Sequence, residues 1–210
     1  MNHLLCPVCR GQLKLNSNAL QCENRHCFDI AKEGYVNLLT GSKAGALIGD
    51  NKDMAKSRKS FLDKGYFSPL AQGLAEIAKS NSPETVLDIC CGEGYYTAFI
   101  KEKVSAEIYG FDISKEMVRL AAKRKSGARF FVANMADIPL FDGSIDLAFH
   151  LFAPFCEKEF ARVIKPGGLL ISVCPGKRHL FEMKAKLYDS PYENEEAAPE
   201  IEGFETEKAQ

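Results

Sequence analysis

The chain has 210 residues, 46% hydrophobic and 26% charged, with a formal net charge of −1. That length can bury a sizeable core and fits one domain of about 150 residues plus a small appendage. No run of about 18 or more apolar residues occurs, and MNHLLCPVCRGQ lacks a charged-then-apolar leader, so neither a membrane span nor a secretory signal is expected and a cytoplasmic protein is predicted.

Charge is uneven along the chain. From Asp189 onward eight acidic residues face Lys208 alone, leaving 26 basic and 20 acidic side chains in the preceding 188 residues. A mildly positive body is compatible with a polyanionic partner and equally with a solvated surface carrying an acidic tail.

Four of the eight cysteines fall within the first 27 residues. In a reducing compartment they read as metal ligands or buried thiols before disulfides. CPVC, then twelve residues, then CENRHC bring Cys6, Cys9 and Cys22 together with either His26 or Cys27. Four protein ligands at this spacing make a closed tetrahedral zinc site, structural because no position is left for a catalytic water. Residues 1–40 cannot build much core, so Zn2+ supplies folding free energy there. Cys91, Cys156 and Cys174 read as core thiols beside sheet elements.

GSKAGALIGDN is Gly-rich and reads as a connector, and MAKSRKSFLDKG is a helix ending at Gly65. SPLAQGLAEIAKS is a second helix, with Ser68 as N-cap, Pro69 at its first position, and Leu70, Leu74 and Ile77 on one face. From Thr85 the pattern alternates. TVLDIC, EIYGFDI, ARFFVA, SIDLAFHLFA and LLISVCP read as strands; GYYTAFIKEKV, SKEMVRLAAKRKS (capped by Ser114) and CEKEFARVIK read as helices, with KPGG as a turn. This alternation predicts an α/β fold with a doubly wound, mostly parallel, Rossmann-like sheet.

In such sheets the ligand lies beyond the carboxyl ends of the strands, at the first strand–helix turn. VLDICCGEGYYT supplies that turn, with Gly92 and Gly94 letting the backbone pass close to a ligand. Asp112, ending the next strand, suits ribose hydroxyls. Asp88 repels a pyrophosphate but suits a ligand carrying an amino group and a sulfonium, which favours S-adenosylmethionine over NAD. Cys90 stands where a glycine is expected, so its side chain crowds the ligand or requires φ < 0. The loop around Asn134, Met135, Ala136 and Asp137 falls where adenine would lie. FDGSIDLAF and ARVIKPGGLL resemble the fourth- and fifth-strand approaches of class I methyltransferases.

The order of zinc knuckle, FDIAKEGYVNLL, SRKSFLDKGYFSPL, VLDICCGEGYYT, ARVIKPGGLL and PGKRHLFEMK resembles RlmA-type 23S rRNA (guanine-N1)-methyltransferases, from Cys6 to about Tyr188. FDIAKEGYVNLL is the most specific piece. The resemblance implies methyl transfer from S-adenosylmethionine to N1 of a guanine in a 23S rRNA loop, on naked RNA or a large-subunit ribosomal precursor. It implies zinc ligation by Cys6, Cys9, Cys22 and His26, and glycine at the position of Cys90. It also implies two closing strands past EGF, where this chain ends, so the closing strands are expected to be missing. The sheet edge left open would allow pairing of two copies as a homodimer.

The expected organisation is a zinc-binding RNA-recognition module at 1–40, a connector and helix at 41–65, and the methyltransferase domain at 66–210. Cofactor contacts are expected from Asp88, Cys90, Gly92, Gly94, Tyr95, Asp112, Ile113, Asn134 and Met135. Phe152, Pro154, Phe155, Arg178 and His179 are the candidate substrate contacts, and Asp137 and His150 the candidate bases, on position alone. Arg10, Arg25, Lys56, Arg58 and Lys59 are candidate RNA contacts. The competing functions are a small-molecule methyltransferase and a decayed enzyme that binds RNA through its zinc module.

Overall fold

The computed structural model describes residues 3–41, 49–194 and 201–206. Most of the predicted connector and parts of the acidic tail lie outside the described residues. Three short strands, β1 (Lys14–Asn16), β2 (Ala19–Gln21) and β3 (Cys27–Asp29), form an antiparallel sheet in the Cys-rich segment. After them come β4 (Val36–Asn37), α1 (Lys52–Leu62), α2 (Ser68–Asn81), β5 (Thr85–Ile89), α3 (Tyr95–Lys103), β6 (Glu107–Asp112) and α4 (Lys115–Lys123). The chain continues through β7 (Arg129–Val132), β8 (Ile145–Leu151), α5 (Glu157–Val163), β9 (Ile164–Val173) and α6 (Phe181–Leu187).

The second sheet has the order β4-β7-β6-β5-β8-β9, and every neighbouring pair is parallel. All five residues of β5 are buried, as expected of a central strand covered on both faces. Its alternation sorts the two faces. Val86 joins Leu74, Ala78, Ile100 and Phe149 under α2 and α3, whereas Leu87 and Ile89 point to the other face with Phe111, Phe131 and Phe160. That second face is covered by α5 and by the Cys-rich segment. Leu4, Cys6, Leu13, Leu20 and Cys22 share one core cluster with Leu87, Ile89 and Phe111. The metal module therefore takes the place of a helix layer.

The structure departs from the sequence reading in several places. β4 comes from FDIAKEGYVNLL and adds a sixth strand, pairing Val36 with Phe131 and Asn37 with Val132. KPGG is not a separate turn but lies inside β9, where the register against β8 shifts between Ile145 and Leu147. Ser68 is already helical; Phe67 is the N-cap of α2 and gives no side-chain cap bond because its ring carries no acceptor, and Pro69, second in the helix, needs no N–H partner there. Ile77 is exposed, and Ala71, Leu74, Ala75 and Ala78 form the buried stripe instead. As predicted, Ser114 caps α4, accepting from the Met117 N–H at 3.3 Å. Cys174 is exposed rather than a core thiol. Among the described residues no strand follows β9, and no helix is long and apolar enough to cross a membrane.

Candidate functional site

Two turns shape the Cys-rich segment. The Cys6 N–H donates to the Gly11 carbonyl at 2.8 Å, and the Cys22 N–H to the His26 carbonyl at 3.1 Å, with Arg10 and Arg25 in left-handed backbone at the bends. The turns bring the three Sγ atoms and the His26 ring within 4.8 Å of one another. Cys9 Sγ lies 3.6 Å from Cys22 Sγ, and His26 Nδ1 lies 3.5 Å from Cys6 Sγ and 3.4 Å from Cys22 Sγ. A tetrahedron with ordinary zinc bond lengths has edges of about 3.8 Å between sulfurs and about 3.6 Å from sulfur to nitrogen, so the four ligands fit Zn2+. Hydrogen bonding from the Asn24 side chain draws the Cys9 thiol down to about 6, toward the thiolate that a metal takes. Cys27 sits exposed on β3 and is not part of the cluster, which leaves His26 as the fourth ligand.

At the carboxyl ends of β5 and β8 a cavity of about 270 Å³ opens. The loop from Cys90 to Glu93 forms one wall, with Asp88, Tyr95 and Tyr96 beside it. Asp88 is 1% exposed, on the Val86 side of β5, and accepts from Thr97 Oγ1 at 2.5 Å. Burial pushes its carboxyl up to about 7. Glu93 is likewise buried and ion-paired with Arg124, whose guanidinium also reaches Asp63 Oδ1 at 2.8 Å. The pair ties the loop to the end of α1. Two buried polar atoms in this wall, Glu93 Oε1 and Tyr95 OH, have no partner among the described residues. Gly92, at φ +54°, faces open space where a side chain would project, and Gly94, at φ +77°, sits so close to Ala121 that a Cβ would lie 2.9 Å from it. A buried acid, orphaned polar atoms and an open glycine fit a polar, cationic small ligand such as S-adenosylmethionine.

Cys90 lines this cavity at φ +57°. The expected φ < 0 is not adopted: the chain keeps the turn that glycine would make and accepts a left-handed β-carbon. Burial raises its thiol to about 12, so it is not a nucleophile. A left-handed residue costs about 1 kcal/mol and the buried thiol returns about as much through packing, partly against Met135 at 3.9 Å. Cys90→Gly is therefore expected to change stability by less than about 1 kcal/mol while tightening S-adenosylmethionine binding severalfold, as read by calorimetric titration and thermal unfolding.

The other expected cofactor contacts, Asp112, Ile113, Asn134 and Met135, lie on the neighbouring strand ends outside the cavity lining. Asp112 accepts from the Gly92 N–H at 3.1 Å and the Ser114 N–H at 2.8 Å, which fixes its carboxylate beside the loop. Of the candidate substrate contacts, Phe152 and His179 line the cavity, with rings 5.5 Å apart and 19° from parallel. Phe155 does not. It turns into the core against His150 at 4.3 Å and Phe160 at 6.1 Å. Pro154 and Arg178 also lie off the lining, Arg178 stacking over Phe181 at 4.8 Å.

Neither candidate base is placed for chemistry. Asp137 is surface-exposed and held by Arg10 at 2.8 Å, across the seam between the metal module and the sheet. His150 is fully buried, and its Nε2 lies 2.8 Å from the Pro154 carbonyl, which can only accept, so the ring donates there. That bond braces the turn at Phe152, which is left-handed at φ 52°. Sequence reasoning gave no cavity role to Arg58, Phe61, Leu62, Phe67, Glu93 or Tyr96. For the first four the signal was present in SRKSFLDKGYFSPL, a family-like stretch whose aromatic residues had no assigned chemistry.

Comparison with known proteins bears on both regions. A family model described as RlmA, N-terminal matches residues 4–43, and one described as a methyltransferase domain matches residues 86–168. The 23S rRNA (guanine(748)-N(1))-methyltransferase of Streptomyces fradiae is 38% identical over 189 residues, covering 87% of this chain and 67% of that protein. A Bacillus subtilis protein named as a candidate 23S rRNA (guanine-N1)-methyltransferase is 32% identical over 210 residues, covering 95% of this chain and 74% of its own. A solved structure of a candidate S-adenosylmethionine-dependent methyltransferase from Methanococcus maripaludis superposes with a TM-score of 0.52 at 21% identity, covering 67% of this chain and 74% of its own. That likeness supports the fold.

Proposed function

The chain belongs to the RlmA family of 23S rRNA (guanine-N1)-methyltransferases, and from that premise we propose how its cavity carries out the transfer. The protein methylates N1 of a guanine in 23S rRNA, using S-adenosylmethionine, and holds a structural Zn2+ on Cys6, Cys9, Cys22 and His26. When bound, S-adenosylmethionine supplies an electrophilic methyl group; Asp88, the Cys90–Tyr95 loop and Asp112 are the residues that hold it.

N1 lies on the Watson–Crick edge, so the guanine must be unpaired and swung into the cavity. The near-parallel rings of Phe152 and His179 offer it a flat apolar wall at the mouth. Asp88 is engaged by Thr97 and Glu93 by Arg124, so neither carboxylate is assigned the N1 proton, which leaves toward the cavity mouth. Residues 1–40 act as the zinc-binding RNA-recognition module, 41–65 as connector and helix, and 66–210 as the methyltransferase domain. Arg25 and Lys56, which have no acidic partner among the described residues, support RNA contact, whereas Arg10, Arg58 and Lys59 are engaged by Asp137, Asp50 and Asp63. An rRNA substrate, naked or in a large-subunit precursor, fits a cytoplasmic location, and assembly as a homodimer is part of the same proposal.

The observation that carries this reading is the joining of the zinc cluster to the cavity's own sheet, an arrangement that a small-molecule methyltransferase does not need. The retained cavity, with Asp88 buried at its floor, argues against a decayed scaffold. Primer extension on protein-free 23S rRNA tests it. A cofactor-dependent stop at one guanine is expected, because N1 methylation blocks base pairing. Absence of any stop, with cofactor bound, would count against the RNA substrate.

A further inference from the structure

The cavity mouth continues outward as a row of aromatic rings. From His179 and Phe152 the contacts run to Phe67 at 6.3 Å, from Phe67 to Phe61 at 6.0 Å, and from Phe61 to Tyr66 at 5.7 Å. Phe61 is 45% exposed and Tyr66 68% exposed, and Tyr66 lies outside the cavity lining altogether. Large rings left this open beside a cavity are unusual; isolated ones are common, but these five are contiguous. Lys64, between Phe61 and Tyr66 in the chain, has no acidic partner among the described residues. Exposed rings with an unpaired cation between them in sequence are the chemistry of a single-stranded nucleic-acid platform, where bases stack and the backbone meets positive charge.

We propose that Phe61 and Tyr66 form a stacking platform for the unpaired nucleotides next to the target guanine. This rests on the rRNA reading above and extends it from the methylated base to its neighbours. The platform would hold the flanking bases while the guanine occupies the cavity, so part of the unstacking cost of extruding the base is offset outside it.

The chain has no tryptophan, so Tyr66→Trp introduces a single reporter at the platform. Its fluorescence is expected to quench on addition of protein-free 23S rRNA and to stay unchanged with S-adenosylmethionine alone. Tyr66→Ala is expected to raise KM for rRNA about tenfold with unchanged cofactor affinity, and Tyr66→Trp to restore the parent KM. An unquenched reporter in a variant that still methylates rRNA, with KM unmoved in Tyr66→Ala, would overturn the platform and leave the enzyme assignment standing. Quenching by the cofactor alone would also overturn it, since the ring would then belong to the cofactor wall. No methylation by the parent chain would overturn the rRNA reading, and the platform with it.

Discussion

Replacing Cys22 with serine is expected to lower the thermal midpoint of the whole chain by about 10 °C or more. The cause lies in where the metal ligands sit. Cys6 and Cys22 are buried in the same cluster as Leu87, Ile89 and Phe111, so they are core residues of the main sheet as well as metal ligands. The antiparallel strands β1 to β3 are three residues each and bury little by themselves. Without Zn2+ the two knuckle turns lose the bonds that close them, and the layer covering one face of the large sheet loosens. Losing a structural zinc ligand costs at least about 4 kcal/mol, and a domain of this size shifts by about 2–4 °C per kcal/mol. Scanning calorimetry with metal analysis checks this. A small separate transition for the variant, with the main one unmoved, would mean that the module is an appendage energetically independent of the sheet.

Asp88→Asn should separate stability from binding. In the empty protein burial raises this carboxyl from an ordinary 3.8 to about 7. A raised folded-state value means that the folded protein takes up the proton. The stabilisation from that uptake is complete below about pH 4 and is lost as pH rises through about 7. At pH 8 the ionised, buried carboxylate therefore weakens the empty fold. Asparagine keeps an acceptor for Thr97 without the charge, and the variant should gain about 2 kcal/mol at pH 8. The same change removes the negative charge facing a cationic cofactor, and S-adenosylmethionine affinity should fall about 100-fold. In the parent protein affinity should rise with pH through about 7, with proton release on binding below it. Calorimetric titration in buffers of different ionisation enthalpy reads both effects. Unchanged affinity in the variant would remove Asp88 from the cofactor site.

Much of this architecture is legible in the sequence because its signals are local. TVLDI is a short, mostly apolar run with an acid, Asp88, next to its end, and such a run at the centre of a parallel sheet is buried on both faces. The spacing of Cys6, Cys9 and Cys22, with His26 or Cys27 beside them, encodes two turns whose geometry depends on few distant residues, and the fold selects His26. What was not legible depends on tertiary placement. β4 is two residues long and is defined by its pairing with Phe131 and Val132, far away in sequence. Phe152 and Phe155 sit in one run, FAPF, yet the left-handed backbone at Phe152 sends one ring to the cavity and leaves the other in the core. Phe61 and Phe67 reach the cavity because Arg124 ties Asp63, just past α1, to the cofactor loop through Glu93. No periodicity encodes that junction.

The most direct test of the central claim is chemical identification of the product. Protein-free 23S rRNA is incubated with the chain and S-adenosylmethionine, digested to nucleosides and resolved by mass spectrometry against standards. The account predicts new 1-methylguanosine, dependent on the cofactor and absent with Asp88→Asn at limiting cofactor. Methylation of another base, of another guanine atom, or of no nucleoside while the cofactor is demonstrably bound would contradict it.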